Sequence, residues 1–292
     1  MIKLALSDLD STLISFGEPC ASARTLAAIH AVLDAGLHFG PVTGRLPADM
    51  EWMFDGDAAC YQTGAFVNGM MVRVDGQIVY QTTLSEELLN HVQDVLDSTD
   101  LGYLTLYDPW NLDEVAYITA YPDRLLANLP SSQSLTKTIL PNVSQFPSSA
   151  PEGEPPSYAK ANIHIVPRAN RVELRDLLRQ EISELDFVFP NPRAPLIDVT
   201  PKGWGKGEAV CMLQEALGLA PEEVAVFGDS ENDLAMIQAV PNSVAVSNAS
   251  EQIKAAARWQ IGSCAEGAVD DALMDIVAVS YTGEMPAFMH EA

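Results

Sequence analysis

The sequence predicts an α/β fold: a Rossmann-like, doubly wound parallel sheet with a separate α+β domain inserted into it. Both ends of the chain alternate short apolar runs with helical segments, whereas the middle is rich in strand-like segments. Short apolar runs suit parallel strands that are buried on both faces of a sheet. We therefore predict a core formed by residues 1–82 and 194–292, and an inserted α+β domain formed by residues 83–193.

The amino-terminal part of the chain begins with a strand–helix–strand pattern. Residues 2–7 form a short apolar run, and residues 21–35 carry apolar side chains at helical spacing. Gly36 is a typical helix stop, and residues 37–42 form a second apolar run. This pattern predicts the first βαβ unit of a parallel sheet.

The carboxyl-terminal part repeats the alternation. Apolar spacing predicts a helix over residues 207–217, a strand over 224–227, a helix over 232–239, a strand over 243–246 and a helix over 249–257. Between the two parts, segments 66–72 and 77–81 flank Asp75-Gly76, which is a strong signal for a hairpin turn. Both ends of the chain are thus expected to contribute to one sheet.

The inserted domain is expected to mix strands and helices. The predicted elements are a helix over residues 86–97, strands over 103–107 and 114–119, a strand over 161–166, a helix over 168–182 and a strand over 186–189. Residues 130–157 are rich in Ser and Pro and lack periodicity, which predicts a loop.

Composition limits the classes of function. The formal net charge of −24 repels nucleic-acid phosphates, so we expect no nucleic-acid partner. No apolar run of about 18 residues is present, so no membrane span is expected, and the amino terminus lacks the pattern of a signal peptide. The four cysteines have no CxxC spacing, so neither a zinc site nor a disulfide framework is expected: Cys20, Cys60, Cys211 and Cys264. A cytoplasmic location with reduced thiols follows.

Acidic residues follow two of the predicted core strands. Asp8 and Asp10 come after the first strand, Asp229 comes after strand 224–227, and Asp233 lies at the start of the next helix. Ligands bind at the carboxyl edge of open α/β sheets, and two acids one residue apart can point the same way. Such carboxylates repel one another unless a proton or a cation lies between them, and oxygen ligands suit magnesium. Each acid taken alone is equally typical of a turn or a helix cap.

Three further residues, Thr43, Gly44 and Lys206, can contact a phosphate group. The hydroxyl of Thr43 and the backbone of Gly44 follow the second strand. Lys206 precedes a helix and can place an ammonium group on the same phosphate, while Asn232 opens the helix after Asp229. A turn residue or a surface lysine would explain each of these positions taken alone.

In their order along the chain, these residues resemble the four motifs of haloacid dehalogenase phosphatases. The matching segments are Asp8-Leu9-Asp10-Ser11-Thr12, Val42-Thr43-Gly44-Arg45, Lys206-Gly207 and Gly228-Asp229-Ser230-Glu231-Asn232-Asp233. The inserted domain looks like the C2B-type cap of the Cof-like subfamily. The resemblance covers nearly the whole chain, and four short motifs in order at plausible spacing are highly specific.

The resemblance implies a role in catalysis for two acids. Asp8 would be the nucleophile that forms an aspartyl-phosphate, and Asp10 would act first as the general acid and then as the general base. Thr43, Gly44 and Lys206 would bind the phosphoryl group, which Asn232 could also reach.

The resemblance also implies a magnesium ion and a small phosphorylated metabolite as substrate. Magnesium would be held by the Asp8 carboxylate, the Asp10 backbone carbonyl and Asp229. Asp233 would support the site through metal-bound waters or by orienting Lys206. We expect a sugar phosphate or a similar phosphomonoester, with specificity set by the cap.

The chain departs from the family pattern at two places. Ser11 replaces the usual glycine, at a small cost provided that its φ is negative. Thr63-Gly64-Ala65 stands where the family has Asn-Gly-Ala, so an amide contact to substrate is expected to be missing.

Other residues and other activities stay open at this stage. Candidates for binding a second polar group in the cap are Lys160, His164, Arg168 and Arg193, and the tryptophans Trp52, Trp110 and Trp204 are either core or stacking residues. A phosphomutase of the phosphomannomutase type is the nearest enzymatic alternative, and a non-catalytic binding module is the alternative of another class. The sequence carries no prediction of oligomeric state.

Overall fold

The structure of the protein, a computed structural model, describes residues 1–107, 116–119, 138–140, 157–191 and 194–290. The chain divides into two units. The core unit consists of Met1–Arg45, Asp49–Gln81 and Gly205–Ala292, and the inserted unit consists of Leu46–Ala48 and Thr82–Trp204.

The strands and helices of the described residues are numbered in chain order. The strands are β1 Leu4–Ser7, β2 His38–Pro41, β3 Gly64–Phe66, β4 Met71–Val74, β5 Gln77–Gln81, β6 Leu84–Ser85, β7 Gly102–Tyr107, β8 Ala116–Ile118, β9 Thr138–Leu140, β10 Ser157–Tyr158, β11 Lys160–Ile165, β12 Leu185–Val188, β13 Leu196–Pro201, β14 Val224–Gly228, β15 Asn242–Val246 and β16 Trp259–Ile261. The helices are α1 Ala23–Asp34, α2 Met50–Met53, α3 Glu86–Thr99, α4 Arg171–Glu181, α5 Lys206–Ala216, α6 Leu234–Ala239, α7 Glu251–Ala256 and α8 Ala268–Val279.

The core unit is built on a parallel five-stranded sheet with the order β16-β15-β14-β1-β2. The central strands β1 and β14 are buried along their whole length, as their continuous apolar sequences predict. Helix α1 packs against α8, and α5 packs against α6. The core therefore has the predicted α/β arrangement, and β16 and α8 add a strand and a helix that were not predicted.

Local sequence explains where helix α1 begins and which face it buries. The Ser22 side chain accepts a hydrogen bond from the backbone N–H of Thr25, which satisfies one of the free donors of the first turn. Ala28, Ile29 and Val32 form its buried apolar face. Helix α1 therefore returns the chain to the amino end of β2, as in a βαβ crossover.

The predicted hairpin is present, but its first strand is shorter than expected. Strands β4 and β5 pair around Asp75-Gly76, whose φ values of 50° and 78° suit a tight hairpin turn. The segment predicted as one strand over 66–72 is interrupted by a 3₁₀ turn at Val67–Gly69. Val67 and Asn68 have positive φ there, which is incompatible with a continuous strand.

The inserted unit contains a six-stranded sheet with the order β12-β13-β11-β7-β8-β9. The predicted domain boundary between residues 193 and 194 is wrong, because β13 pairs with both β11 and β12 inside this sheet. The unit therefore continues to Trp204. The predicted loop over 130–157 contains β9 and the first residue of β10, and its other residues lie outside the described residues, as do Trp110 and Arg193.

No helix of the described residues is long and apolar enough to cross a membrane.

Candidate active site

Asp8 lies directly after β1, at the carboxyl edge of the parallel sheet. Its backbone N–H donates to the carbonyl of Phe227 at 3.0 Å, so the pairing of β1 with β14 continues past the end of β1. Only 7% of Asp8 is exposed. The pairing places Asp8 beside the residues that follow β14.

Lys206 bridges two acids. It is the first residue of α5, and its side chain is fully buried. Its Nζ donates to Oδ1 of Asp8 at 2.6 Å and to Oδ1 of Asp233 at 2.6 Å. A buried ammonium group of this kind requires paired carboxylates, because its transfer from water is otherwise costly.

Asp229 and Asp233 are held by hydrogen bonds from the loop after β14. Oδ2 of Asp233 accepts from the backbone N–H groups of Asp229 and Ser230, each at 2.9 Å. The Thr12 hydroxyl donates to Oδ1 of Asp229 at 3.1 Å, and the Ser230 hydroxyl donates to Oδ2 at 2.8 Å. Both carboxylates are therefore fixed in orientation.

The cluster combines three buried carboxylates with one ammonium group, and the pKa values reflect this imbalance. Burial raises the pKa of Asp8 well above its ordinary value of 3.8; Lys206 opposes this effect, while Asp233 and Asp229 add to it. Burial, and then Asp233, raise the pKa of Asp229 to about 6. Burial would lower the pKa of Lys206, but Asp233 and Asp8 outweigh it and raise that pKa.

The same cluster has the donor set of a divalent-cation site. One carboxylate oxygen each from Asp8, Asp229 and Asp233 lies within 4.8 Å of the others. A hard cation prefers such oxygen ligands, and its positive charge would offset the excess of negative charge. The residues present therefore fit a metal ion.

Asp10 does not join this cluster. Its side chain is 48% exposed and accepts two hydrogen bonds from Arg45, from Nε to Oδ2 at 2.7 Å and from Nη2 to Oδ1 at 2.6 Å. The two acids therefore have different partners in this structure, Lys206 for Asp8 and Arg45 for Asp10. The alternation of side chains along β1 ends at Ser7. Beyond it, the backbone N–H groups of Leu13 and Ile14 donate to the Leu9 carbonyl and form a turn.

Besides Lys206, the predicted phosphate-binding residues Thr43, Gly44 and Asn232 form a second group, which Asn68 joins together. The hydroxyl of Thr43, which is buried, accepts from the backbone N–H of Arg45 at 3.2 Å, and Gly44 lies between them. Asn68 donates its backbone N–H to the Thr43 carbonyl at 2.8 Å, and its Oδ1 accepts from Nδ2 of Asn232 at 3.5 Å. Oδ1 of Asn232 is buried with no hydrogen-bond partner among the described residues.

The prediction that the chain lacks the family's Asn-Gly pair at the third core strand is wrong. Ala65 forms a parallel bridge with Val42, so β3 extends the parallel edge, and Asn68-Gly69 lies beyond its carboxyl end. Gly69 has a φ of 90°, and a Cβ there would lie 2.8 Å from the Gly205 carbonyl. The sequence signal was present, since Asn68-Gly69 is an Asn-Gly pair close to the one that was sought.

The replacement of glycine by Ser11 was expected to cost little only if Ser11 had a negative φ, and this is not the case. Ser11 has a φ of 70°, in the left-handed region where glycine is favoured. The Asn248 side chain donates to the Ser11 carbonyl at 2.8 Å, which holds the turn in this conformation. The substitution of glycine by serine therefore carries backbone strain.

The remaining candidates have partners within their own units. His164 stacks on Tyr103 with ring centroids 4.7 Å apart. Lys160 lies 5.5 Å from the ring of Tyr107, and Arg168 pairs with Asp100 at the surface.

Of the two candidate tryptophans within the described residues, Trp52 belongs to the core unit and Trp204 to the inserted unit. Trp52 is 42% exposed and lies beneath the Arg45 guanidinium, whose Cζ is 5.3 Å from its ring centroid. It therefore borders the group that holds Asp10.

Comparison with known proteins tests the family suggested by these motifs. The haloacid dehalogenase-like hydrolase profile matches residues 5–273, which is most of the chain. The chain belongs to the haloacid dehalogenase-like hydrolase family. A relative in this family, the HMP-PP phosphatase of Yersinia pseudotuberculosis serotype I (strain IP32953), is 29% identical over 259 residues, which cover 87% of each protein.

Solved structures of haloacid dehalogenase phosphatases share the fold. BT1666 from Bacteroides thetaiotaomicron has a TM-score of 0.74 at 19% identity, covering 94% of both chains. The subclass IIB sugar phosphatase BT4131 has a TM-score of 0.74 at 19% identity, covering 96% of this chain and 99% of that chain. These comparisons confirm three predictions: the family, the α/β fold, and the enzyme class, hydrolases that act on phosphoric monoesters.

Proposed function

We propose that this hydrolase is a magnesium-dependent phosphatase that cleaves a small phosphomonoester through an aspartyl-phosphate on Asp8. The observation that carries the proposal is the buried cluster of Asp8, Lys206, Asp229 and Asp233 at the carboxyl edge of the parallel sheet. A binding module has no need of a buried nucleophile, a buried ammonium group and a metal-binding donor set together.

In the first step a carboxylate oxygen of Asp8 attacks phosphorus, and the bond from phosphorus to the ester oxygen breaks. Asp10 donates a proton to the departing oxygen, so that an alcohol leaves. In the second step water attacks the phosphorus of the aspartyl-phosphate and gives a proton to Asp10. Inorganic phosphate leaves and the Asp8 carboxylate is restored.

The phosphoryl group needs positive charge and hydrogen-bond donors while it is transferred. Lys206 supplies an ammonium group next to Asp8, and Asp233 holds that group in place with its own oxygen 2.6 Å away. Thr43 and Gly44 lie on the loop after β2, where a hydroxyl and a backbone N–H can bind phosphate oxygens. Asn232, which Asn68 contacts, contributes a further amide donor.

Magnesium would be held by the carboxylates of Asp8 and Asp229 and by the backbone carbonyl of Asp10. The ion, when bound, offsets the negative charges of phosphate and Asp8 as they approach each other. Asp233 is better suited to orienting Lys206, because both of its oxygens already accept hydrogen bonds. Thr12 and Ser230 orient Asp229 toward this task.

The substrate class follows from charge and from the named relatives. A chain with a net charge of −24 attracts an anionic substrate only through a local site such as the Lys206 cluster. The named relatives include an HMP-PP phosphatase and a sugar phosphatase. We therefore place the substrate among small phosphorylated metabolites in the cytoplasm, which agrees with four free cysteine thiols.

The test is phosphate release from a panel of sugar phosphates, other small phosphomonoesters and HMP-PP, with magnesium and with EDTA. We expect release that requires magnesium, that is lost in Asp8→Asn, and that is kept in the control Asp34→Asn, which alters an exposed acid at the end of α1. Unchanged turnover in Asp8→Asn would remove the nucleophile. Isomerisation of a sugar phosphate without phosphate release would favour a mutase instead.

A further inference from the structure

His30, Asp57 and Cys60 form a second cluster of metal-binding side chains in the core unit. His30 lies on α1, Asp57 caps the short 3₁₀ turn Ala58–Tyr61, and Cys60 lies within that turn. Nε2 of His30 is 2.6 Å from Oδ2 of Asp57, and one ligand atom from each of the three residues lies within 4.8 Å of the others.

This cluster lies far from the proposed chemistry in the topology of the sheet. The 3₁₀ turn precedes β3, which runs parallel to the edge of the sheet through the Val42–Ala65 bridge. His30 lies in the second half of α1, which leads to the amino end of β2. The cluster is therefore at the amino edge of the sheet, whereas Asp8 and Asp229 lie at the carboxyl edge.

The donor set differs from that of the carboxylate cluster. Magnesium prefers oxygen ligands, whereas imidazole, thiolate and carboxylate together are typical of zinc. In a tetrahedral site with bonds of about 2.0–2.3 Å, ligand atoms lie about 3.3–3.8 Å apart. The cluster reaches this spacing with movements of about 1 Å, and the His30 side chain, 45% exposed, has the freedom to make them.

We propose that His30, Asp57 and Cys60 bind a thiophilic divalent cation such as Zn²⁺, independently of the phosphatase site. Three protein ligands leave a fourth position for water on the side of the half-exposed imidazole. The bound ion would tie helix α1 to the turn that precedes β3 and would stabilise the folded core unit in proportion to its affinity.

The charges around the cluster favour a cation. Asp57 carries a negative charge directly beside the thiol of Cys60 and the imidazole of His30. Without a metal the thiol is neutral, since burial and then Asp57 raise the pKa of Cys60 to about 12. A bound cation reverses this effect, because a coordinated thiol is deprotonated. The absence of CxxC spacing led us to expect no zinc site, but His30 lies 27 residues before Asp57 in the chain and only the fold brings it to the turn that carries Asp57 and Cys60.

The test is titration of the metal-free full-length protein with Co²⁺ in excess magnesium. The magnesium occupies the carboxylate cluster, so that Co²⁺ is available to the second cluster. We expect a thiolate-to-cobalt charge-transfer band that saturates at one equivalent. The band should be absent in Cys60→Ser and strongly reduced in His30→Ala. It should persist in the matched controls Cys211→Ser and Cys264→Ser, and in Asp229→Asn.

A second measurement guards against misfolding of the cysteine variant. Zn²⁺ should raise the thermal midpoint of the wild type in excess magnesium, and His30→Ala, which alters a half-exposed side chain, should lose that rise while keeping the circular dichroism of the fold. Absence of a charge-transfer band in the wild type would overturn the proposal. A band that survives in Cys60→Ser and disappears in Cys264→Ser would assign the thiol elsewhere and overturn it equally.

Discussion

Arg45 binds Asp10 through both carboxylate oxygens, at 2.7 Å and 2.6 Å. A planar guanidinium matches a carboxylate in this two-point geometry, which fixes the orientation of the acid as well as its position. The aromatic ring of Trp52 packs against Arg45, with its centroid 5.3 Å from the guanidinium carbon. We therefore expect Arg45 to position Asp10, the proposed general acid and base.

Replacing Arg45 with alanine should lower kcat by about 10–100-fold, because a misplaced catalytic group costs up to about 10² in rate. Arg45→Lys should recover only part of this loss, since an ammonium group cannot form the two-point contact. KM and the thermal midpoint should change little. Arg24→Ala, which removes another surface arginine paired with an acid, is the control and should leave kcat unchanged. A wild-type kcat in Arg45→Ala contradicts the positioning role.

The stabilising effect of magnesium should depend on pH because of Asp229. The pKa of Asp229 in the folded protein is about 6, above its ordinary value of 3.8. Between about pH 4 and pH 6 the metal-free folded state therefore binds more protons than the unfolded state, so the contribution of Asp229 to stability falls as pH rises through this window. Magnesium competes with that proton, so its stabilising effect should grow from pH 4 to above pH 6.

Thermal unfolding in EDTA and in magnesium across this range measures the difference. Asp229→Asn should flatten the metal-free decline and remove most of the response to magnesium. An equal magnesium-induced shift of the midpoint at pH 4 and at pH 7 would contradict the assignment of Asp229 as a ligand.

The core strands and the buried part of the site were predictable from the sequence for a common reason. Strands buried on both faces of a parallel sheet are continuous apolar runs, as in β1 and β14, and polar residues directly after them lie at one edge. The sequence alone therefore predicts that Asp8 and Asp229 lie together, as they do in the structure. Lys206 followed from its position at a helix start.

Features that depend on tertiary pairing were not predictable. The position of Asn68 depends on where β3 ends, which only the Val42–Ala65 bridge reveals. The domain boundary depends on the pairing of β13 with β11 and β12. The contact of Asp10 with Arg45 depends on side-chain direction beyond the end of a strand, where the two-residue alternation no longer applies.

Ser11→Gly should stabilise the core unit. A non-glycine residue in the left-handed region destabilises the fold by roughly 1–2 kcal/mol. Removing this strain is partly offset, by about 0.5–1 kcal/mol, because glycine loses more conformational entropy on folding. We therefore expect a gain of up to about 1.5 kcal/mol in the free energy of unfolding, measured with urea. Ser280→Gly, at a φ of −59° in the same unit, is the matched control and should destabilise instead. A loss of stability in both variants would show that Ser11 is not strained.

Gly69→Ala should lower the free energy of unfolding by more than its positive φ alone explains. Gly218 has a φ of 64° and open space around it, so Gly218→Ala measures the backbone strain, roughly 1–2 kcal/mol. A Cβ on Gly69 would in addition lie 2.7 Å from the Cβ of Ala209 and 2.8 Å from the Gly205 carbonyl. Overpacking of this kind adds about 1–3 kcal/mol.

The same overpacking should also displace Lys206 in the active site, because Gly205 directly precedes Lys206. We expect Gly69→Ala to lower phosphate release as well as the free energy of unfolding, whereas Gly218→Ala should lower only the latter. Urea denaturation and phosphate release measured on the two variants side by side separate the effects. Equal losses of stability, together with full activity in Gly69→Ala, would show that this close backbone approach does not support the position of Lys206.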